Sequence, residues 1–170
     1  MQIRDAVEAD LAGILTIYND AVLTTTAIWN ESVVDLANRH SWLKERRQQG
    51  YPVLIASSDS QVLGYASFGD FRAWHGYRYT VEHSVYVHRD HRGCGLGAAL
   101  LQSLIERART LQKHVMIGGI EANNEASLKL HARLGFKTVG RLEQVGTKFG
   151  RWLDLVFVQC TLAEHAAPAG

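Results

Sequence analysis

The stretch Tyr79-Thr-Val-Glu-His-Ser-Val-Tyr-Val87-His-Arg-Asp-His-Arg-Gly93-Cys-Gly-Leu-Gly97 decides how the rest of the chain is read. Its first half alternates as a strand does, with Val81, His83, Val85 and Val87 on one face and Thr80, Glu82, Ser84 and Tyr86 on the other. Its second half is glycine-rich, from His91 to Gly97. It runs into Leu100, Leu101, Leu104, Ile105, Ala108 and Leu111, the apolar stripe of a helix. A helix start carries unpaired backbone N–H groups and the positive end of the helix dipole, so it favours a phosphate. Glycines let the backbone come close to such a ligand, and Arg92 can add charge.

Three known uses of glycines can be weighed here. A Walker A loop requires Lys-Ser/Thr after the last glycine, and none follows. Gly93-x-Gly95-x-x-Ala98 formally matches a dinucleotide fingerprint. That motif, however, sits in a tight first strand–helix turn, whereas these glycines lie mid-chain and well beyond Val87. Glycines that merely turn a corner stay open, as does a pyrophosphate loop of another kind.

Working outward, Met1–Arg4 is a strand candidate, and Leu11, Ile14, Leu15, Tyr18 and Val22 predict a helix over Glu8–Val22. Thr24–Asn30 reads as a loop with an exposed Trp29. Asp35 can cap a second helix with Leu36, His40 and Leu43 on one face. Val53–Ser57 and Val62–Phe68 form a hairpin around Ser58, Asp59 and Ser60. Gly69–Arg78 is a polar and aromatic loop. After the central helix, Val115–Glu121 is a strand, Asn124–Leu134 a helix ended by Gly135, and Phe136–Leu142 and Trp152–Leu162 the last strands. The order β-α-α-β-β-β-α-β-α-β-β predicts an α/β fold, a mixed and mostly antiparallel twisted sheet with helices on both faces.

Composition narrows the function. The chain has 170 residues, 46% of them hydrophobic, with 18 basic and 17 acidic residues and a net charge of +1. That balance gives no general attraction to nucleic acid or an anionic membrane, so any anion site is local. We expect one domain over residues 1–162 and a flexible tail over residues 163–170. Two cysteines without CxxC spacing indicate reduced thiols, and scattered histidines predict no metal site. The opening residues show no apolar leader, and no run reaches the roughly 18 apolar residues of a membrane span. A cytoplasmic protein is expected.

Arg92-x-x-Gly95-x-Gly97 resembles the (Q/R)xxGx(G/A) signature of the GNAT N-acetyltransferase superfamily. Downstream, Asn124-Glu-Ala-Ser127-Leu-Lys-Leu-His131-Ala-Arg-Leu-Gly135-Phe136 resembles its second motif. Within that superfamily, Thr80–Val87, Leu130-His131 and Lys148–Asp154 are most similar to the phosphinothricin and methionine-sulfoximine N-acetyltransferases. The resemblance implies the GNAT acyl-CoA N-acyltransferase fold, acetyl-CoA as cosubstrate, and an amino-acid-like acceptor such as methionine sulfoximine, methionine sulfone or phosphinothricin. It further implies a homodimer, with Lys148–Asp154 toward the partner.

The same resemblance implies the site residues. Backbone groups of Val85, Tyr86 and Val87 would hold the pantetheine arm, and Arg92, Gly93, Cys94, Gly95, Leu96, Gly97 and Ala98 the pyrophosphate. Asn124 and Ser127 would complete the cofactor site. Glu82 is the candidate general base, directly or through a water, and Val87 N–H the oxyanion donor. His131 stands where many relatives carry a tyrosine acid; it would either donate a proton or only pack. Trp29, Arg72, Ala73, Trp74, Glu82, His83 and Ser84 would touch the acceptor, with Arg72 or Arg78 pairing its carboxylate. Bulky Trp29 and Trp74 predict an enclosed pocket and so count against a protein N-terminal or lysine acetyltransferase. A non-catalytic acyl-CoA-binding module is the remaining alternative.

Overall fold

The computed structural model describes residues 1–59 and 61–163; the expected tail beyond residue 163 and Ser60 of the hairpin turn lie outside them. The strands are β1 (Gln2–Asp5), β2 (Val53–Ser58), β3 (Gln61–Asp70), β4 (Thr80–Val87), β5 (Val115–Glu121), β6 (Lys137–Lys148) and β7 (Arg151–Thr161). The helices are α1 (Leu11–Thr24), α2 (Leu36–Gln48), α3 (Leu96–Thr110) and α4 (Glu125–Arg133), in the order the sequence predicts.

All seven strands join one sheet, ordered β1-β2-β3-β4-β5-β7-β6. Every neighbouring pair is antiparallel except β4 and β5. The pleat divides the core. Val53 and Ile55 of β2 pack with Leu11, Ile14 and Ile17 of α1, while Leu54 and Ala56 pack with Leu100, Leu101 and Leu104 of α3. Burying these apolar stripes on opposite sides of the sheet is what fixes helices on both faces.

Two local expectations are corrected. On α2 the buried side chains are Arg39 and Leu43, whereas Leu36 and His40 are exposed. The Arg39 guanidinium is covered by lying over the Tyr18 ring at 4.2 Å and the Trp42 ring at 5.1 Å. In addition, β6 runs on to Lys148 and meets β7 through the tight turn Phe149-Gly150, with Lys148 opposite Arg151. Both turn residues have positive φ, and Phe149 gives no sequence signal of such a turn. A bulge between Leu142 and Gly146 also breaks the alternation by which β6 could have been read to its end.

Candidate active site

The parallel pairing of β4 and β5 is short: Thr80 with Val115, Val81 with Met116, Glu82 with Ile117. Beyond Glu82 the two strands separate, β4 staying with β3 and β5 with β7. A cavity of about 510 Å³ opens there, walled by β4 from His83, by β5 from Gly119, and by the starts of α3 and α4.

Backbone direction on β4 follows from one bond. His88 N–H donates to Leu63 O of β3 at 2.8 Å. Antiparallel backbone groups alternate in direction, so Tyr86 and Ser84 also face β3, and Val87, Val85 and His83 face the gap. The N–H groups of Val85 and Val87 are thus an open strand edge, ready for an extended ligand. Tyr86 also lines the cavity, although its main chain pairs with β3 and its ring packs toward α1, so the main-chain groups that face the gap are those of its neighbours.

The glycine loop enters α3 through Gly93 (φ 77°) and Gly95 (φ 86°), the latter at the helix N-cap. Left-handed backbone of this kind favours glycine, and it aims the first N–H groups of α3 into the cavity. Gly97 is packed closely, since a Cβ there would lie 3.2 Å from Leu130 Cδ1 and that side chain would have to shift slightly. Arg92 sits at the cavity edge, its Nε donating to Val87 O at 3.3 Å and its guanidinium 3.6 Å from Asp20 of α1. Asp20 also pairs with Arg89. Cys94 turns its thiol to His91 O and stays outside the cavity wall, so it contributes main chain alone.

Glu82 and His83 point to opposite faces at the fork. The Glu82 carboxyl reaches over Gly119, whose hydrogen stands where a Cβ would be 3.3 Å from Oε1. Burial raises its pKa above the ordinary carboxylate value, and the Arg72 charge partly offsets this. The His83 ring fills the crotch between the strands, in space that only a glycine at 118 leaves, since a Cβ there would be 2.7 Å from His83 Nε2.

His83 stacks on His131 of α4 with Nε2···Nε2 at 3.1 Å, and His131 Nδ1 lies 2.7 Å from Ser127 O. The carbonyl can only accept, so His131 carries its proton on Nδ1. His131 Nε2 therefore accepts from His83 Nε2–H, and the enclosed His83 Nδ1 keeps a bare lone pair. Burial lowers both pKa values, with the neighbouring His131 a further cause for His83, which falls to about 3. Asn124 Oδ1 caps α4 by accepting Ser127 N–H at 3.1 Å, which holds the helix start and Ser127 at the cavity.

The predicted acceptor residues are brought together only in part. Ser84 and His83 line the cavity. Arg72, Ala73 and Trp74 lie on the exposed loop before β4; Arg72 rests on the Phe71 ring at 4.3 Å, and its charge is felt by Glu82. Trp74 is 79% exposed and encloses nothing within this chain, which corrects the expected closed pocket. Trp29 is half-buried rather than exposed, because its ring packs over Gly146 and its Nε1–H bonds Thr26 O at 2.9 Å. Lys148, expected toward a partner, is fully buried under the α1–α2 loop.

Against this geometry, the Acetyltransferase (GNAT) family model matches residues 14–136. The chain belongs to the GNAT acetyltransferase family. It is 63% identical over 161 residues to the L-methionine sulfoximine/L-methionine sulfone acetyltransferase of Pseudomonas aeruginosa, covering 94% of each chain. The phosphinothricin N-acetyltransferase of Alcaligenes faecalis is 38% identical over 92% of this chain and 80% of its own. A Salmonella typhimurium acetyltransferase structure with acetyl-CoA superposes with a TM-score of 0.97, at 56% identity over 99% of this chain and 97% of that one. The GNAT fold expected from the sequence is the one observed.

Several residues that shape this GNAT cleft were not singled out in the sequence. Asp20, Gly118, Glu121 and Gly146 come from distant segments, and only the Gly118-Gly119 pair left a local sign, since glycines inside a strand mark close approach of another group. Among the described residues no three His, Cys, Asp or Glu side chains gather as metal ligands.

Proposed function

We propose that this enzyme moves the acetyl group of acetyl-CoA to the α-amino group of a small amino acid of the methionine sulfoximine, methionine sulfone or phosphinothricin kind. The observation that carries this is the fork at Glu82: a carboxylate of raised pKa at the crotch, an open N–H edge beyond it, and a helix start at the far end. The names of the relatives support the acceptor class.

Pantetheine would extend along β4 and pair with Val85 and Val87, as an added strand does. The first amides of α3, from Gly95 through Ala98, would take the pyrophosphate. Arg92 lies 3.6 Å from Asp20, which also pairs with Arg89, and would add positive charge beside the phosphates while supporting the loop. Asn124 and Ser127 would meet the thiol end.

Catalysis then proceeds by direct attack. Glu82, directly or through one water, removes a proton from the acceptor ammonium; its raised pKa keeps it a competent base near neutral pH. The freed nitrogen attacks the thioester carbon, and Val87 N–H stabilises the oxyanion. The C–S bond breaks, and the proton the nitrogen sheds balances the one the thiolate takes up. His131 is not the donor in this scheme, because its one N–H is committed to Ser127 O. We assign it the role of orienting His83. Arg72 would pair the acceptor carboxylate, and Trp29 would form an apolar wall.

The exposed Trp74, together with Val139, Val145, Phe149 and Trp152 on the β6–β7 ribbon, offers apolar surface for a second copy of the chain. A homodimer would close the acceptor pocket that one chain leaves open. Both cysteines are free, in keeping with a cytoplasmic enzyme. Thiol release from acetyl-CoA with methionine sulfone, methionine sulfoximine, phosphinothricin and a free-amine peptide tests the proposal. Turnover of the amino acids, largely lost in Glu82→Gln, is expected; turnover of the peptide alone would refute the acceptor class.

A further inference from the structure

Lys148 is the last residue of β6 and has no solvent exposure. Its ammonium donates to Thr25 O at 2.6 Å and to Ile28 O, two carbonyls of the loop joining α1 to α2. Burying an ammonium is costly, and an apolar side chain would fill the same space with less penalty. What only the ammonium supplies is a fixed tie between that loop and the β6–β7 ribbon.

Two positions earlier on β6, Gly146 faces the same loop. A Cβ at 146 would stand 2.1 Å from Trp29 Cε3, so the indole has a seat that any larger residue destroys. A third tie runs to β5, where Thr26 Oγ1 donates to Glu121 Oε2 at 3.3 Å. Glu121 is itself held by Asn123 and lines the cavity beside Ala27. The short loop from Thr25 to Trp29 is thus anchored to β6 and to β5, the second of which is a strand of the fork.

We propose that Lys148 and Gly146 form a clamp that sets acceptor specificity by fixing the Thr25–Trp29 loop as a rigid wall of the acceptor site. This rests on the placement of Trp29 in that wall. Lys148 touches no reacting atom; it is a positioning residue, and it acts through the loop. The clamp admits compact α-amino acids and excludes bulky ones, because the wall cannot retreat while the ammonium holds both carbonyls.

The test uses the full chain with Lys148→Met, which keeps the stem and removes the ammonium, and Gly146→Ala, which unseats Trp29. In steady-state kinetics with methionine sulfone, each variant is expected to raise the acceptor KM about tenfold and leave the acetyl-CoA KM within about twofold, the signature of lost acceptor positioning. The ratio of kcat/KM for methionine sulfone over phenylalanine should fall in both. If Lys148→Met does not fold, Gly146→Ala carries the test. Unchanged acceptor KM and unchanged ratio in a folded variant overturn the clamp, as does an equal rise in both KM values. Should the wild type acetylate no amino acid, the proposed function has failed by itself. Hydrogen exchange at residues 25–29 then decides the clamp: faster exchange in the variants upholds it, and unchanged exchange refutes it.

Discussion

The His83–His131 pair makes a quantitative claim about acid stability. His83 titrates near 6.5 when unfolded and at about 3 when folded, because its ring is enclosed and faces a second imidazole. A depressed histidine contributes stability that is present above the unfolded pKa and is lost as pH falls toward the folded one. Between about pH 7 and pH 5 the unfolded state takes up most of one proton at this site and the folded state almost none. By proton linkage His83 alone then lowers stability by about 2 kcal/mol, or a fall of about 4–8 °C in Tm for a chain of this size. His131 is depressed too and adds to the trend, while the raised Glu82 opposes it. The clean measurement is therefore a difference. Urea unfolding followed by circular dichroism at both pH values, for wild type and His83→Phe, should show the variant less sensitive to pH by about 2 kcal/mol. Phenylalanine keeps the ring in the fork, although His131 Nε2 loses its donor and stability drops at every pH. Equal pH sensitivity in the two proteins would mean that His83 titrates normally. The assigned tautomers, and the argument that His131 cannot be the acid, would then be wrong.

Glu82→Gln should lower kcat/KM for methionine sulfone by about 10²–10⁴ and abolish the acid limb of its pH profile, which in the wild type rises as the carboxyl ionises. Asn124→Ala removes the α4 cap at Ser127 N–H and should cost about 1 kcal/mol in chemical unfolding, with a raised acetyl-CoA KM. Gly118→Ala places a methyl in the space of the His83 ring, so it should impair acetyl-CoA binding by calorimetry more than Gly140→Ala in β6, where a Cβ meets nothing within 4 Å. Trp152→Asp puts a charge on the exposed ribbon and should shift the protein to monomer in light scattering, with weaker acceptor turnover.

Local pattern was enough to read the strand and helix order. Val81, Val85 and Val87 do share the face toward α3, where Leu100, Leu101 and Leu104 form the stripe that meets them, and His83 meets His131 of α4. The glycine loop was legible for the same reason: Gly93 and Gly95 satisfy a backbone demand that lies within a few residues of them. The end of β6 was not, because a bulge and a positive-φ Phe149 obey no residue rule. Leu36 and His40 were expected on the packed face of α2, but the cover that buries Arg39 instead comes from Tyr18 on α1 and Trp42 on α2, a pairing only the tertiary structure makes.

The sequence by itself determined the α/β order, the glycine-led start of α3 and the strand that bears Glu82, since each follows from periodicity and backbone chemistry within one segment. Only the tertiary structure decided what those groups can do. The point where β4 leaves β5, the burial that lifts the Glu82 pKa, the proton on His131 Nδ1 and the hold of Lys148 on a loop more than a hundred residues away all depend on long-range contacts. Hydrogen-bond partners and desolvation are properties of neighbours in space. A chain declares those neighbours only once it has folded.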